Sequence, residues 1–227
     1  MIRLHLVVEG QTEEEFVNSV LVEHLGQFQI STDARCVLTS RNRSRIYRGG
    51  LSKFQRAQRD LVLWMKEYQN SDARFSTMFD CYRLPHDFPG YDEARRRTDP
   101  YDRVMILEEA LGHEIGDSRF IPYLQLHEFE ALLLSDPAQL DCEFLEHDRA
   151  IQELTNICSN YASPELIDDG PETAPSKRII AQIPQYEGRK VSAGPRIAAK
   201  IGLNVLRQKC PHFDSWVRRL EALGERA

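Results

Sequence analysis

The 227-residue sequence has no apolar run of the roughly 20 residues that a membrane-spanning helix needs. It has five cysteines, an odd number with no closely spaced pair. That spacing argues against a disulfide framework and a cysteine zinc site, and it suits a reducing compartment. The chain enters an apolar, alternating segment at once, so no signal peptide is expected. We therefore predict a cytoplasmic protein that does not associate with membranes.

Bulk positive charge is also lacking. The net charge is −6 and the pI about 5.7, which is atypical of a protein that holds nucleic acid by overall charge. The basic residues are nevertheless clustered. Arg95–Arg97 is one run, and a denser arginine cluster, predicted to contact nucleic acid, consists of Arg41, Arg43, Arg45 and Arg48. Such a segment is typically a solvated loop, and contact with phosphate groups is the functional alternative.

The opening segment predicts a strand, a turn and a helix. Apolar residues at every second position from Ile2 to Val8 are typical of a strand with one buried face. Gly10 permits a sharp turn because it has no Cβ. Thr12, with Glu15 three residues later, fits a capping box, so Thr12 is the expected N-cap and Glu13 the first helical residue.

Two carboxylates flank this turn. Glu9 follows the strand, where open α/β sheets place their ligands, and Glu13 comes four residues later. Carboxylates brought together repel, and a hard divalent cation relieves that repulsion. For acids in a first helical turn the structural alternative is a favourable interaction with the helix dipole. Glu9 is harder to explain in that way, because a carboxylate that ends a buried strand needs a partner or a cation.

Strand and helix patterns alternate along the first part of the chain, which predicts an α/β fold with a parallel sheet and flanking helices. Two further strands end in acids, one at Asp80 and one at His127, Glu128 and Glu130. Acids from three strand ends would converge on Mg²⁺ or Mn²⁺ if the strands are neighbours. Strands are expected at 34–39, 75–79 and 119–126, and helices at 13–26, 52–68 and 101–115.

The strand signals fade after residue 135. We predict an α/β core over residues 1–135 and a helical C-terminal extension over residues 136–227 that packs on the core. Segments of helical periodicity in that extension include one after Cys210, where Pro211 suits a first helical turn.

Several motifs resemble a known family. The segment Val8–Glu13 is similar to the opening motif of Toprim domains, particularly those of OLD-family nucleases. Later segments, over nearly the whole chain, resemble a bacterial Toprim-like family known as domain-of-unknown-function family 4276: Phe79–Pro85, Pro122–Leu133 and Cys210–Phe213. The resemblance implies a Toprim-like (Rossmann-like) parallel sheet.

The resemblance also implies roles for individual residues. Glu9 and Glu13 look like the paired motif glutamates, and Asp80 like the first aspartate of an Asp-x-Asp pair. Tyr82 stands where the second aspartate is expected, so one metal or two stays open, with Asp87 or an acid of the third strand end as the substitute. The implied metal ligands are Glu9, Glu13, Asp80, Glu128 and Glu130, and the implied catalytic residues are Glu9, Glu13, Asp80, Glu128 and Lys190, with Lys177 as the rival lysine.

The leading functional hypothesis is a Mg²⁺- or Mn²⁺-dependent nuclease that cleaves DNA, with RNA as the alternative substrate. The resemblance implies an ABC/AAA-type ATPase partner encoded separately, in an anti-phage defence module. The chain itself has no Gly-x-x-x-x-Gly-Lys-[Ser/Thr] motif. The alternatives are a catalytically weak or inactive metal-binding subunit of an ATPase complex, and a small-molecule phosphatase or phosphotransferase.

Overall fold

The computed structural model describes residues 1–42, 45–48, 51, 53–82, 84–167, 170 and 172–226. For residues 38–42, 45–48 and 226 it describes the backbone alone.

A parallel sheet forms the centre of the molecule. Its strands lie in the order β2-β1-β5-β6, and β7 also pairs with β5. These pairings are all parallel, while β3 and β4 form a separate antiparallel hairpin. The strands are β1 Ile2–Val8, β2 Ile30–Cys36, β3 Leu38–Asn42, β4 Arg45–Arg48, β5 Ala73–Asp80, β6 Phe120–Ile121 and β7 Leu124–Gln125. The predicted α/β class is confirmed.

Helices cover the sheet and make up most of the rest of the described chain. The first helical unit runs from α1 through a π-helical segment, Val17–Leu21, into α2. No helix among the described residues is long and apolar enough to cross a membrane. The α-helices are α1 Gln11–Phe16, α2 Val22–Gly26, α3 Phe54–Glu67, α4 Tyr91–Ala94, α5 Pro100–Ile115, α6 Glu130–Leu133, α7 Asp148–Cys158, α8 Pro175–Gln182, α9 Lys190–Ile201, α10 Leu203–Lys209 and α11 Pro211–Glu221; the 3-10 helices are Pro137–Cys142, Pro164–Leu166, Pro184–Arg189 and Gly224–Arg226.

Strand β1 is buried on both faces, so the expectation of one buried face was wrong. His5 and Val7 are buried along with the apolar residues that alternate with them. His5 packs against aromatic rings of α3 and β5, with its ring centroid 5.0 Å from Trp64 and 5.2 Å from Phe75. A central parallel strand takes this form because helices cover both faces of the sheet.

The C-terminal helices share a hydrophobic core with one face of the sheet. Trp216 of α11 is 1% exposed, stacks on Tyr123 at 4.1 Å, and donates from Nε1 to Ser76 Oγ of β5 at 2.9 Å. The other face packs mainly against α3 and α5, in a cluster that includes Trp64 and Leu107. The boundary at residue 135 stays a prediction.

Three local expectations need correction. The strand predicted at 119–126 is two short strands, because Pro122 has no N–H to donate to a neighbouring strand. At this break Thr77 Oγ1 accepts a hydrogen bond from Tyr123 N at 3.1 Å and donates one to Tyr123 O at 2.9 Å. The strand predicted at 34–39 begins earlier, at Ile30. The arginine-rich segment, interpreted as a loop, carries the β3–β4 hairpin.

Candidate metal centre

Three acids lie at the carboxyl ends of neighbouring strands. Glu9 follows β1, Asp80 closes β5 and Glu128 comes shortly after β7. Strand β5 pairs with both β1 and β7, and all three run in the same direction. The structure therefore places Glu9, Asp80 and Glu128 together at the carboxyl ends of the strands (the carboxyl edge of the sheet), where parallel sheets bind their ligands.

The Glu9 carboxylate links the end of β5 to Leu51. Its Oε2 accepts a hydrogen bond from Asp80 N at 3.0 Å, and its Oε1 accepts one from Leu51 N at 3.3 Å. Burial raises the pKa of Glu9, and the charge of Glu128 adds to the rise while the two amides oppose it. The partner that a strand-end carboxylate requires is thus supplied partly by backbone N–H groups.

Glu13 is buried at the start of α1. The helix begins at Gln11 with Gly10 as N-cap, and Glu13 Oε2 accepts a hydrogen bond from Gly10 N at 2.8 Å. The predicted cap at Thr12 with Glu15 was therefore wrong: the extended Gly10 starts the helix earlier and makes Glu13 the reciprocal capping residue. Burial, followed by the charges of Glu9 and Glu130, raises the pKa of Glu13 to about 7.

Asp80 has the most acidic surroundings of the set. Its Oδ1 accepts a hydrogen bond from Phe129 N at 3.0 Å. Burial raises its pKa well above the usual value, and the charges of the other four predicted metal ligands add to the rise. Asp87, the suggested substitute for a second aspartate, instead accepts from Phe54 N at 3.1 Å, at the start of α3.

Glu128 and Glu130 lie in a turn and a short helix rather than on a continued strand. His127 has a positive φ of 61°, which ends the extended segment. Glu128 Oε2 accepts a hydrogen bond from Ser176 N of α8 at 2.9 Å. Glu130 Oε1 lies 3.2 Å from Tyr186 Oη, which donates to it. Burial raises the pKa of Glu130, and Lys190 opposes that rise.

Lys190 reaches the acids from the first residue of α9. Its Nζ lies 3.2 Å from Glu130 Oε1, and its side chain is one-third exposed. The rival Lys177 lies on α8, next to Ser176. Lys190 thus stands within ion-pair distance of a predicted metal ligand.

The donor set suits Mg²⁺ or Mn²⁺ in kind, because all five predicted ligands are carboxylates. Position is a separate matter. Within the described ranges, no three His, Cys, Asp or Glu side chains converge so as to hold an ion as they stand. Glu9, Asp80 and Glu128 each turn an oxygen toward a backbone N–H.

Two residues at the site were not predicted from the sequence. Tyr186 is fully buried and orients Glu130 through its hydroxyl. Gly194 of α9 allows a close approach: a Cβ there would lie 3.3 Å from both Thr12 and Phe129 and 3.4 Å from Tyr186 Oη. A single tyrosine or a single helical glycine carries no local signal, although both lie close in sequence to Lys190.

The arginine cluster lies only partly within the residues that the structure describes. Arg43 falls outside the described residues, and Arg41, Arg45 and Arg48 lie on β3 and β4 with only their backbone described. Their predicted contact with phosphate groups stays a prediction. The second basic run is better defined, because Arg95 lines a pocket together with Tyr82.

The fold and the site define an α/β protein with carboxylates clustered at the carboxyl edge of a parallel sheet. A family model matches residues 8–221 of the chain. The chain therefore belongs to that family, described as Domain of unknown function (DUF4276), as its motifs predicted.

One solved structure with some similarity is the "C-terminal region of the Burkholderia pseudomallei OLD protein". The match covers 99% of this chain and 98% of that chain, with 16% sequence identity and a TM-score of 0.47. Among proteins with curated functions, none matches this chain.

Proposed function

We propose that this protein is a metal-dependent nuclease that hydrolyses phosphodiester bonds in DNA, with Mg²⁺ or Mn²⁺ as its cofactor. The observation that carries the proposal is the set of acids at one sheet edge. Four of them, Glu9, Glu13, Asp80 and Glu130, have pKa values raised first by burial and then by the charges of neighbouring acids. Such repulsion favours a site that gains a divalent cation.

Each residue has a role in this proposal. Glu9, Glu13, Asp80, Glu128 and Glu130 would hold the cation. When bound, the cation supplies an activated water and stabilisation of the leaving oxygen. Lys190, held 3.2 Å from Glu130, places positive charge beside the site, where it would stabilise charge that develops on the phosphate in the transition state. Tyr186 keeps Glu130 oriented through its hydroxyl.

Two further observations support a nucleic acid as the substrate. The exposed Arg95 lines a pocket together with Tyr82, and Tyr82 lies two residues after Asp80 in the chain. A basic group therefore lies near the acids at the carboxyl edge of the sheet. The motif resemblance to OLD-family Toprim domains supports DNA cleavage, a separately encoded ABC/AAA-type ATPase partner, and a cytoplasmic role in phage defence.

The test is incubation of the purified chain with plasmid and with single-stranded DNA, in Mn²⁺, Mg²⁺ or EDTA, alone and with the proposed ABC/AAA-type ATPase partner. We expect cleavage in the metal buffers only. Glu9→Gln and Asp80→Asn should abolish it, while the matched control Glu153→Gln, at an exposed position of α7, should cleave like wild type. The absence of cleavage under every condition would contradict the proposal.

A second candidate is a non-catalytic subunit of an ATPase complex. It is favoured by the backbone hydrogen bonds of Glu9, Asp80 and Glu128, which already satisfy part of each carboxylate, and by the lack of three converging ligands in the described part of the chain. Calorimetry separates the candidates. Mn²⁺ binding that Glu9→Gln removes, without DNA cleavage, would support the non-catalytic subunit.

A further inference from the structure

A pocket lies next to the carboxyl end of β5. Its volume is about 330 Å³, and its lining includes Cys81, Tyr82, Tyr91, Arg95, Arg103 and Leu107. Cys81 and Tyr82 directly follow Asp80, and two residues of chain span at most about 7 Å. The Cys81 N–H donates to Gln125 O at 2.9 Å, and the Tyr82 N–H donates to His127 O at 2.8 Å. These bonds hold Cys81 and Tyr82 against residues 125–127, which directly precede Glu128.

The lining combines aromatic rings with positive charge. Tyr82 and Tyr91 are partly exposed, and the Tyr91 ring packs edge-on against His86 at 4.7 Å. Arg95 is exposed and directly follows α4, and Arg103 lies on α5. Among the described residues that line the pocket, none is acidic, in contrast to the chain as a whole with its net charge of −6. Sites for single-stranded nucleic acid have this composition, with bases stacked on aromatic rings and phosphates beside basic groups.

The size and position of the pocket restrict the kind of ligand that it can bind. A volume of about 330 Å³ is near the lower end of the range for small-ligand pockets, roughly 300–1,000 Å³, so one nucleotide is a suitable occupant. Stacked nucleotides rise about 3.4 Å each, so the pocket lies within a few nucleotides of a phosphate held at Asp80. A base in a duplex would first have to leave its stack and its partner.

We propose that this pocket, the Tyr91–Arg95 pocket, binds a nucleotide of single-stranded DNA next to the phosphodiester that the acid cluster receives. Tyr91 stacks on the base and Arg95 contacts a phosphate. The inference rests on the proposed function, because it assigns the pocket to the same substrate. It also names the form of that substrate, a single strand.

Binding can be measured separately from cleavage. The full chain in EDTA is titrated into a short fluorescent single-stranded oligonucleotide, and anisotropy is recorded over a series of salt concentrations. Tyr91→Ala should weaken binding roughly fivefold or more, whereas Tyr91→Phe, which keeps the ring, should stay within about twofold of wild type. Arg95→Ala should weaken binding and reduce the log–log salt slope by about 0.7, the effect of one lost phosphate contact.

Arg96→Ala is the matched control, because it removes the same charge one residue away and Arg96 does not line the pocket. If Arg95→Ala and Arg96→Ala weaken binding equally and Tyr91→Ala has no effect, the attraction is general charge and the proposal is overturned. A wild-type chain that does not bind the oligonucleotide also overturns it. Equal losses for a duplex of the same sequence overturn the single-strand assignment. Circular dichroism of each variant checks folding.

A cleavage assay on the same oligonucleotide in Mn²⁺ distinguishes this inference from the proposed function. Binding that depends on Tyr91 and Arg95 without any cleavage supports the pocket and contradicts the nuclease. Cleavage at the wild-type rate by Tyr91→Ala and Arg95→Ala, at subsaturating DNA, supports the nuclease and overturns the pocket.

Discussion

Replacing Glu13 by Gln is expected to remove a loss of stability that the wild-type chain suffers as the pH rises. In the unfolded chain a glutamate releases its proton near its ordinary pKa of 4.5, whereas burial and the charges of Glu9 and Glu130 raise the pKa of folded Glu13 to about 7. Between these values the unfolded chain binds fewer protons than the folded chain. The free energy of unfolding therefore falls as the pH rises through this interval.

The size of the effect follows from the difference between the two pKa values, 4.5 and about 7. Each pKa unit corresponds to about 1.36 kcal/mol, so the full loss above the folded pKa is on the order of 3 kcal/mol. For a chain of this length that is roughly 6–12 °C in melting temperature. Glutamine preserves the capping contact, because its amide oxygen can accept the hydrogen bond that Gly10 N donates at 2.8 Å.

The assay is urea unfolding followed by circular dichroism, in EDTA, between pH 4.5 and about pH 8. Glu13→Gln and wild type should unfold at similar urea concentrations at the acid end, and the variant should be the more stable at the basic end. Glu153→Gln, on the exposed face of α7, is the control and should follow wild type throughout. A Glu13→Gln chain less stable than wild type at about pH 8 would refute the reasoning, because the charge would then be stabilised by Gly10 N and the helix N-terminus.

Added Mn²⁺ extends the same experiment. An ion that binds only the folded chain, at about tenfold its dissociation constant, stabilises it by roughly 1.4 kcal/mol. Wild type should show this gain at about pH 8 and Glu13→Gln should show less of it, because one charged ligand is gone. Equal gains in both proteins would exclude Glu13 from the ligand set.

Further expectations concern other parts of the site and the core. Lys190→Ala should slow DNA cleavage by roughly 10²–10³-fold while Lys177→Ala cleaves like wild type, and the reverse pattern would show that the wrong lysine was chosen. Gly194→Ala puts a methyl group 3.3 Å from both Thr12 and Phe129, closer than ordinary contact, so these neighbours must shift and cleavage should fall, while stability, followed by urea unfolding, changes by no more than about 1 kcal/mol; unchanged cleavage would show that the site does not require the close approach at Gly194. Trp216→Ala should cost about 3–5 kcal/mol in urea unfolding, in one transition for the whole chain, and two separate transitions would indicate an independent C-terminal domain.

The alternation of strand and helix patterns was enough to predict the fold class and to locate Glu9 and Asp80 at strand ends. Periodicity works for β1 and β5 because both strands are largely buried and an acid stands at the end of each. The family could also be predicted, because its motifs are contiguous segments of the chain. Local patterns of this kind depend on neighbours a few positions apart, which a sequence displays directly.

Contacts between distant segments were decided by tertiary structure. Tyr186 bonds Glu130 across 56 positions, and Ser176 bonds Glu128 across 48. These pairs exist because α8 and the 3-10 helix Pro184–Arg189 pack near the acids, and the angle and register of that packing depend on the fit of many side chains at once. The same holds for the way in which Pro122 and Thr77 divide the last strand.

The sequence by itself therefore determined that Glu9 and Asp80 lie at strand ends, because burial leaves an apolar pattern in the chain. Tertiary structure alone decided where their oxygens point. Each of Glu9, Asp80 and Glu128 accepts a hydrogen bond from a backbone N–H that another segment supplies. A backbone N–H is common to every residue except proline, so its position at the site leaves no mark in the sequence.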